Sequence, residues 1–161
     1  MDVRIRQATP QDYEALLPLF EDIDALHRQQ HPERFQKPAG PARDRDFFLT
    51  ALADEQAGFF VAEVSGELVG HVRVIVRDTP PVPILKPRRF AHIDEIVVRA
   101  AYRGRGVGHL LMEQAEAWAR SQGAVSIELG VYAFNHEAQE FYRGLGYAPF
   151  HLLMNKNLQE S

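Results

Sequence analysis

The sequence predicts an α/β protein in which one mixed, mostly antiparallel sheet carries helices on both faces. Three observations predict it. The middle of the chain holds strand-like apolar runs separated by a turn signal. A strand–helix–strand–helix–strand succession follows. Of 161 residues, 45% are hydrophobic and 25% charged, close to the globular average and enough for a sizeable core. No repeat, low-complexity tract or linker interrupts the chain, so residues 1–161 are expected to form a single domain.

Val3 and Ile5 alternate with Arg4 and Arg6, as in a short half-buried strand. Thr9 and Pro10 read as the N-cap and first position of a helix with Leu16, Leu17, Leu19 and Phe20 on its apolar side. Pro18 predicts a kink or an early end, with Ile23 and Leu26 in a second helical piece finishing by Pro32. Prolines and a glycine make 32–43 a loop, and Asp46 to Ala57 reads as helix. Phe59–Val64 and Leu68–Val76 form a hairpin about Ser65-Gly66-Glu67. Four prolines between 80 and 87 mark an irregular excursion before the strand Phe90–Val98. Val107, Leu111, Ala115 and Trp118 recur at helical spacing across 106–121, and Gly123 closes that helix. Val125–Val131 follows as a strand parallel to Phe90–Val98, joined by a right-handed crossover. Asn135–Arg143 reads as a short helix and Tyr147–Asn155 as the last strand.

Charge and composition exclude several functions. Against 22 Asp+Glu stand 18 Lys+Arg, a net charge of −4, which gives no general attraction for nucleic acid or an anionic membrane. The absence of cysteine excludes a disulfide framework, a thiolate metal site and a cysteine nucleophile. No apolar run approaches the roughly 18 residues of a membrane helix. The start, Met1-Asp2-Val3-Arg4-Ile5-Arg6, alternates where a secretory signal would be continuously apolar, so a soluble, cytoplasmic protein is expected.

The informative segment runs from His92 to Gly108. An apolar strand enters a turn with Gly104, Gly106 and Gly108, and a helix follows at once. Helix starts leave amides unpaired and partly positive, and glycines let an anion approach them. Arg103 and Arg105 add full charge, so the arrangement suits a phosphate or pyrophosphate. It is not a nucleoside triphosphate loop, because no Gly-Lys-Ser/Thr occurs, and Gly104-Arg105-Gly106-Val107-Gly108 is one residue short of a dinucleotide fingerprint.

Arg103-Gly104-Arg105-Gly106-Val107-Gly108 resembles the R/Q-x-x-G-x-G/A motif of the GNAT superfamily, the acetyl-CoA-dependent N-acetyltransferases. A second block, Asn135 through Phe141-Tyr142 to Gly146-Tyr147, is similar to the family's later motif and stands at the family's separation. The resemblance implies a sheet whose parallel strand pair splays, with acetyl-CoA in the gap. It implies that the pantetheine arm pairs with the backbone of Ile96, Val97 and Val98, and that the diphosphate rests on Arg103, Gly104, Arg105, Gly106, Val107 and Gly108. Asn135, also an ordinary N-cap residue, would hold the pantetheine, and Tyr142 would serve as the acid at the thioester sulfur.

Direct transfer needs a neutral amine, an oxyanion donor and a proton or hydrogen bond for the departing thiolate. The resemblance implies a base or acidic anchor on the strand before the loop, at Asp94 or His92. Regular alternation puts His92, Asp94 and Ile96 on one face and Ile93, Glu95 and Val97 on the other; a bulge would bring Glu95 into play instead. The acceptor would be selected by residues around Phe20–Pro41 and 79–89, with His27, His31 and Phe35 as candidate walls and Glu21, Asp22 and Asp24 as candidate attractors of a cation. The expected function is N-acetyl transfer to a primary amine, a small molecule before a protein or peptide, with a non-catalytic acyl-CoA-binding module as the alternative. No metal is expected, and the resemblance also allows a homodimer.

Overall fold

The computed structural model describes residues 1–159. They form two compact units that divide after Gly130. The first holds a five-stranded sheet whose spatial order is the chain order: β1 (Val3–Gln7), β2 (Ala57–Val64), β3 (Glu67–Asp78), β4 (Arg89–Val98) and β5 (Ile127–Leu129). The first four strands pair antiparallel and β4–β5 pairs parallel, as the sequence predicts. β2 and β3 turn through Ser65 and Gly66, both at positive φ.

Helices cover both faces of this sheet. α1 (Tyr13–Gln30) and α2 (Arg45–Ala53) lie on one, where Leu16, Leu19, Phe20 and Phe48 pack with Phe59, Val61 and Val97. α1 is a single helix that continues through Pro18. The missing amide would have bonded the Glu14 carbonyl, and Glu14 and Pro18 are both exposed, so water can replace the bond. Burial of Leu16, Leu19 and Phe20 on the opposite side keeps the helix intact, and no second helical piece is needed. α2 is shorter than expected. It starts where the Asp44 side chain accepts from the Phe47 amide at 2.8 Å, and Phe47 itself is exposed.

α3 (Val107–Ser121) packs on the other face through Val107, Leu111, Met112 and Ala115. Its close approach depends on Gly70 of β3. A Cβ there would lie 2.8 Å from the Val97 backbone oxygen and 3.0 Å from Leu111 Cδ1. The oxygen belongs to a paired strand and cannot swing away, so Gly70→Ala should destabilise the protein by about 1–3 kcal/mol. Urea unfolding of the variant beside the parent measures this.

The second unit contains α4 (His136–Gly144), capped by Asn135, whose Oδ1 accepts from the Ala138 amide at 3.1 Å. The strand expected over Tyr147–Asn155 does not form: the described residues after 146 pair with no strand. β5 covers only the middle of the expected Val125–Val131. Among the described residues, no helix is long and apolar enough to cross a membrane, and no group of three or more His, Asp or Glu could hold a metal ion.

Candidate active site

β4 carries the candidate acids, and its register decides where they point. Arg73 of β3 faces Glu95, yet Val74 faces Ile93, so Asp94 is an extra residue in β4. Such a bulge breaks the alternation of faces. Asp94 and Glu95 consequently both line one cleft of about 280 Å³. The regular alternation that separated Asp94 from Glu95 is thus corrected at this point. His92 is not among the lining residues; its Nδ1 lies 3.7 Å from Glu128 on β5.

The walls of the cleft are Phe20, Phe47, Phe48 and Phe59, with Arg43, His71 and Arg73 as its basic groups. Glu95 is held from two sides. His71 Nε2 lies 3.0 Å from its Oε1, and Arg43 Nη2 donates to its Oε2 at 2.9 Å. Arg43 is fixed in turn: it donates to both oxygens of Asp24 at 2.8 and 3.3 Å and sits 4.6 Å from the Phe20 ring centre, and its carbonyl accepts from the Tyr13 hydroxyl. His71 is 1% exposed, stacked on Phe59 and edge-on to Phe20. With Glu95 ionised, His71 must donate through Nε2; its Nδ1 finds no partner among the described residues.

Burial pushes the Glu95 carboxyl up, but the His71 hydrogen bond and the charges beside it outweigh that, and the carboxyl stays below its ordinary value. Arg73 donates to Asp94 at 3.0 Å and approaches Asp54 at 3.5 Å. The charged residues that line the cleft balance, Arg43 and Arg73 against Asp94 and Glu95, and Asp24 and Asp54 lie behind the two arginines as their further partners.

β4 and β5 pair only at 91–93 with 127–129. Beyond Ile93 the β4 edge toward β5 has no strand partner among the described residues, and Ile96 and Val98 turn their backbone groups to it, whereas the Val97 carbonyl lies against Gly70 of β3. After β4 comes a single helical turn, Ala100–Tyr102, then Gly104 and Gly106 at φ +73° and +86°. Gly106 is the N-cap of α3, and the space where a Cβ would stand at either glycine is empty within 4 Å. This is an open anion cradle at a fifteen-residue helix start. Arg103 folds back so that its Nε donates to the Val98 carbonyl at 3.0 Å, and Arg105 lies 5.8 Å from the Tyr102 ring centre.

In the second unit, Tyr142 contacts Phe141 and Tyr147 at ring separations of 5.3 and 6.0 Å. Burial pushes its phenol up to about 12. Of the acceptor-wall candidates, His27 stacks on Phe35 at 5.2 Å. Glu21, Asp22 and Asp24 pair with Arg28, Arg99 and Arg43 respectively.

A family model described as the acetyltransferase (GNAT) family matches residues 20–147. The chain belongs to the GNAT family. Among its GNAT relatives is an uncharacterized N-acetyltransferase of Methanocaldococcus jannaschii, 37% identical over 103 residues, 64% of this chain and 44% of that protein. The chain's match therefore spans less than half of that relative's length. An N-alpha-acetyltransferase of Sulfurisphaera tokodaii is 30% identical over 112 residues, 66% of each protein. The crystal structure of a mutant of the BH1408 protein from Bacillus halodurans superposes with a TM-score of 0.92 at 27% identity, covering 97% of this chain and 99% of that one. GNAT membership implies use of an acyl-CoA, and the open cradle at Gly104 and Gly106 fits its diphosphate.

Two members of the Glu95 cluster escape a reading of the GNAT sequence pattern. His71 sits in Leu68–Val76, which reads as an ordinary apolar strand, and Arg43 sits in the proline-rich loop. Glu95 lies 24 residues from the first and 52 from the second, so no local spacing signals either contact.

Proposed function

We propose that the protein is an N-acetyltransferase that passes the acetyl group of acetyl-CoA directly to the primary amine of a small molecule. The observation that carries this reading is the cleft itself: small, walled by phenylalanines, with Asp94 and Glu95 side by side at a strand bulge. The family match runs from 20 to 147, across both compact units, which supports their working as one catalytic domain.

In this mechanism the diphosphate rests on the amides from Arg103 to Gly108, and the pantetheine pairs along Ile96, Val97 and Val98 and with Asn135. Arg103 then has to leave the Val98 carbonyl, which frees its charge for the phosphates. An ammonium enters the cleft toward Asp94 and Glu95 and loses its proton to this acidic pair through water, with His92 as the alternative base. The neutral amine attacks the thioester carbonyl, and a backbone N–H near Val98 stabilises the oxyanion. Tyr142 donates to the departing sulfur. A phenol at about 12 keeps its proton against a thiolate whose acid titrates near 8.5, so Tyr142 acts chiefly as a hydrogen-bond donor. Tyr142→Phe is therefore expected to lower kcat by roughly 10²-fold while leaving the acetyl-CoA Kd within about threefold; steady-state kinetics and calorimetry separate the two. Unchanged kcat removes Tyr142 from the reaction.

The likeness to an N-alpha-acetyltransferase favours a second reading, in which the acceptor is a polypeptide amine. Thiol release measured over amino acids, polyamines, aminoglycosides and peptides with free N-termini decides between them. Small amines are expected to give the higher kcat/KM. Preference for peptides establishes the second reading, and acetyl-CoA binding without thiol release from any amine marks a non-catalytic acyl-CoA module.

A further inference from the structure

We propose that the acceptor is an amine with an uncharged aromatic tail, and that this tail lies in a second cavity between Phe47 of α2 and the guanidinium of Arg73 on β3. The inference deepens the small-amine reading above and rests on it.

The second cavity, of about 460 Å³, is lined by Phe47, Thr50, Ala51, Ala53, Asp54 and Arg73. Phe47, Ala51 and Arg73 line the cleft as well, so the two spaces adjoin. An amine placed at Asp94 and Glu95 therefore has a way out along α2 for the rest of its molecule. Phe47, Thr50 and Ala51 stand three and four residues apart and share one side of that helix, and Asp54 follows at its end. Ala51 carries only a methyl group and so keeps the passage wide. Roughly 150 Å³ is enough for benzene, so the volume admits a ring.

Two features select an arene. The first is Phe47, which is 61% exposed although its neighbour Phe48 is buried in the core. Its ring is an apolar plate on the border of both spaces, and a flat guest gains most from it. Arg73 is the second. Its Nη1 donates to Asp94 at 3.0 Å, its Nη2 lies 3.5 Å from Asp54, and its Nε is buried. The two carboxylates engage the edge of the guanidinium and offset its charge. The planar face is left for a guest, and a face suits an aromatic ring rather than an anion. A tail carboxylate would have to displace Asp94 or Asp54 from Arg73 and would then stand beside them. A tail ammonium would meet Asp54, whose charge Arg73 already offsets. An uncharged tail disturbs neither pair.

The test measures thiol release by the full chain with acetyl-CoA and phenethylamine, its saturated analogue cyclohexylethylamine, pentylamine, cadaverine or δ-aminovalerate. The first two are alike in size and differ in the π face; the last three present a neutral, a cationic and an anionic end. Phenethylamine is expected to have a kcat/KM about tenfold above that of cyclohexylethylamine, and δ-aminovalerate the lowest of the set. Phe47→Ala, at an exposed position, should cut the preference for phenethylamine over pentylamine by about tenfold, with the loss in KM rather than kcat. Arg73→Lys keeps the charge between Asp54 and Asp94 but removes the plane, so it should narrow the gap between phenethylamine and cyclohexylethylamine. Equal rates for those two amines, a preference for cadaverine or δ-aminovalerate, or variants that keep the parent's ratios overturn the aromatic subsite and leave the small-amine reading standing. Release from amino acids or aminoglycosides alone does the same. Release from no small amine sinks the small-amine reading and this inference with it. Should Arg73→Lys fail to fold, the ratio in Phe47→Ala decides.

Discussion

Gly106→Glu is expected to abolish measurable acetyl-CoA binding while leaving the protein folded. Gly106 is at φ +86°, where an L-residue is strained by roughly 1–2 kcal/mol. Space is not the obstacle, because nothing lies within 4 Å of the Cβ position. A carboxylate at this N-cap also meets the first amides of α3, a favourable placement for a negative charge. The new side chain therefore tends to occupy the cradle assigned to the diphosphate. Like charges about 4 Å apart at an effective dielectric of about 20 repel by about 4 kcal/mol, a loss of affinity on the order of 10³-fold. Gly106→Ala supplies the control: it carries the backbone strain without the charge, so it should lower Tm by a few degrees and weaken binding far less. Calorimetric titration with acetyl-CoA reads both variants. A glutamate variant that binds like the parent would put the diphosphate somewhere else.

The glycine loop could be read from the sequence because its physics is local. An apolar strand, closely spaced glycines and an amphipathic helix follow one another without interruption, and Asn135 caps its helix by a bond to a neighbour three residues on. The acidic half of the site could not be read in the same way. Asp94 and Glu95 share a cleft only because β4 has one more residue than β3 at that point, a property of two strands together. His71 looks like filler in an apolar strand until Glu95 is placed 3.0 Å from its ring. Pro18 misled in the opposite direction: a local helix-breaking rule gave way to burial of the far side of α1 and to solvent at Glu14. At Tyr147–Asn155 the side-chain pattern is strand-like, but a strand also needs a partner, and pattern alone does not supply one.

Glu95→Gln should lower kcat/KM by about 10²–10⁴-fold, the usual range for losing a group that moves a proton. The replacement keeps the shape and removes the charge. Its amide oxygen can still accept from Arg43 at 2.9 Å, and its NH2 meets His71 Nε2 at 3.0 Å, which must switch to the other tautomer to accept. The groups facing the carboxylate are Arg43 from the loop, Asp24 and His27 from α1, His71 and Arg73 from β3 and Asp94 on its own strand. Because the folded carboxyl is held below its ordinary value, its contribution to stability is fully present above the unfolded-state pKa and is lost as pH falls through the folded one. The stability gap between parent and variant should accordingly be widest near pH 7 and narrow below about pH 4, which urea unfolding at the two pH values tests. For activity the same direction predicts no loss between pH 5 and 7 from protonating Glu95; kcat/KM in that range should instead rise with the neutral fraction of the acceptor amine. Arg43→Met removes the guanidinium that helps to keep Glu95 ionised and leaves Asp24 without its partner. An acid limb should then enter the pH–rate profile near or above the ordinary carboxylate range, and a profile identical to the parent's would show that Glu95 takes no part in handling the proton.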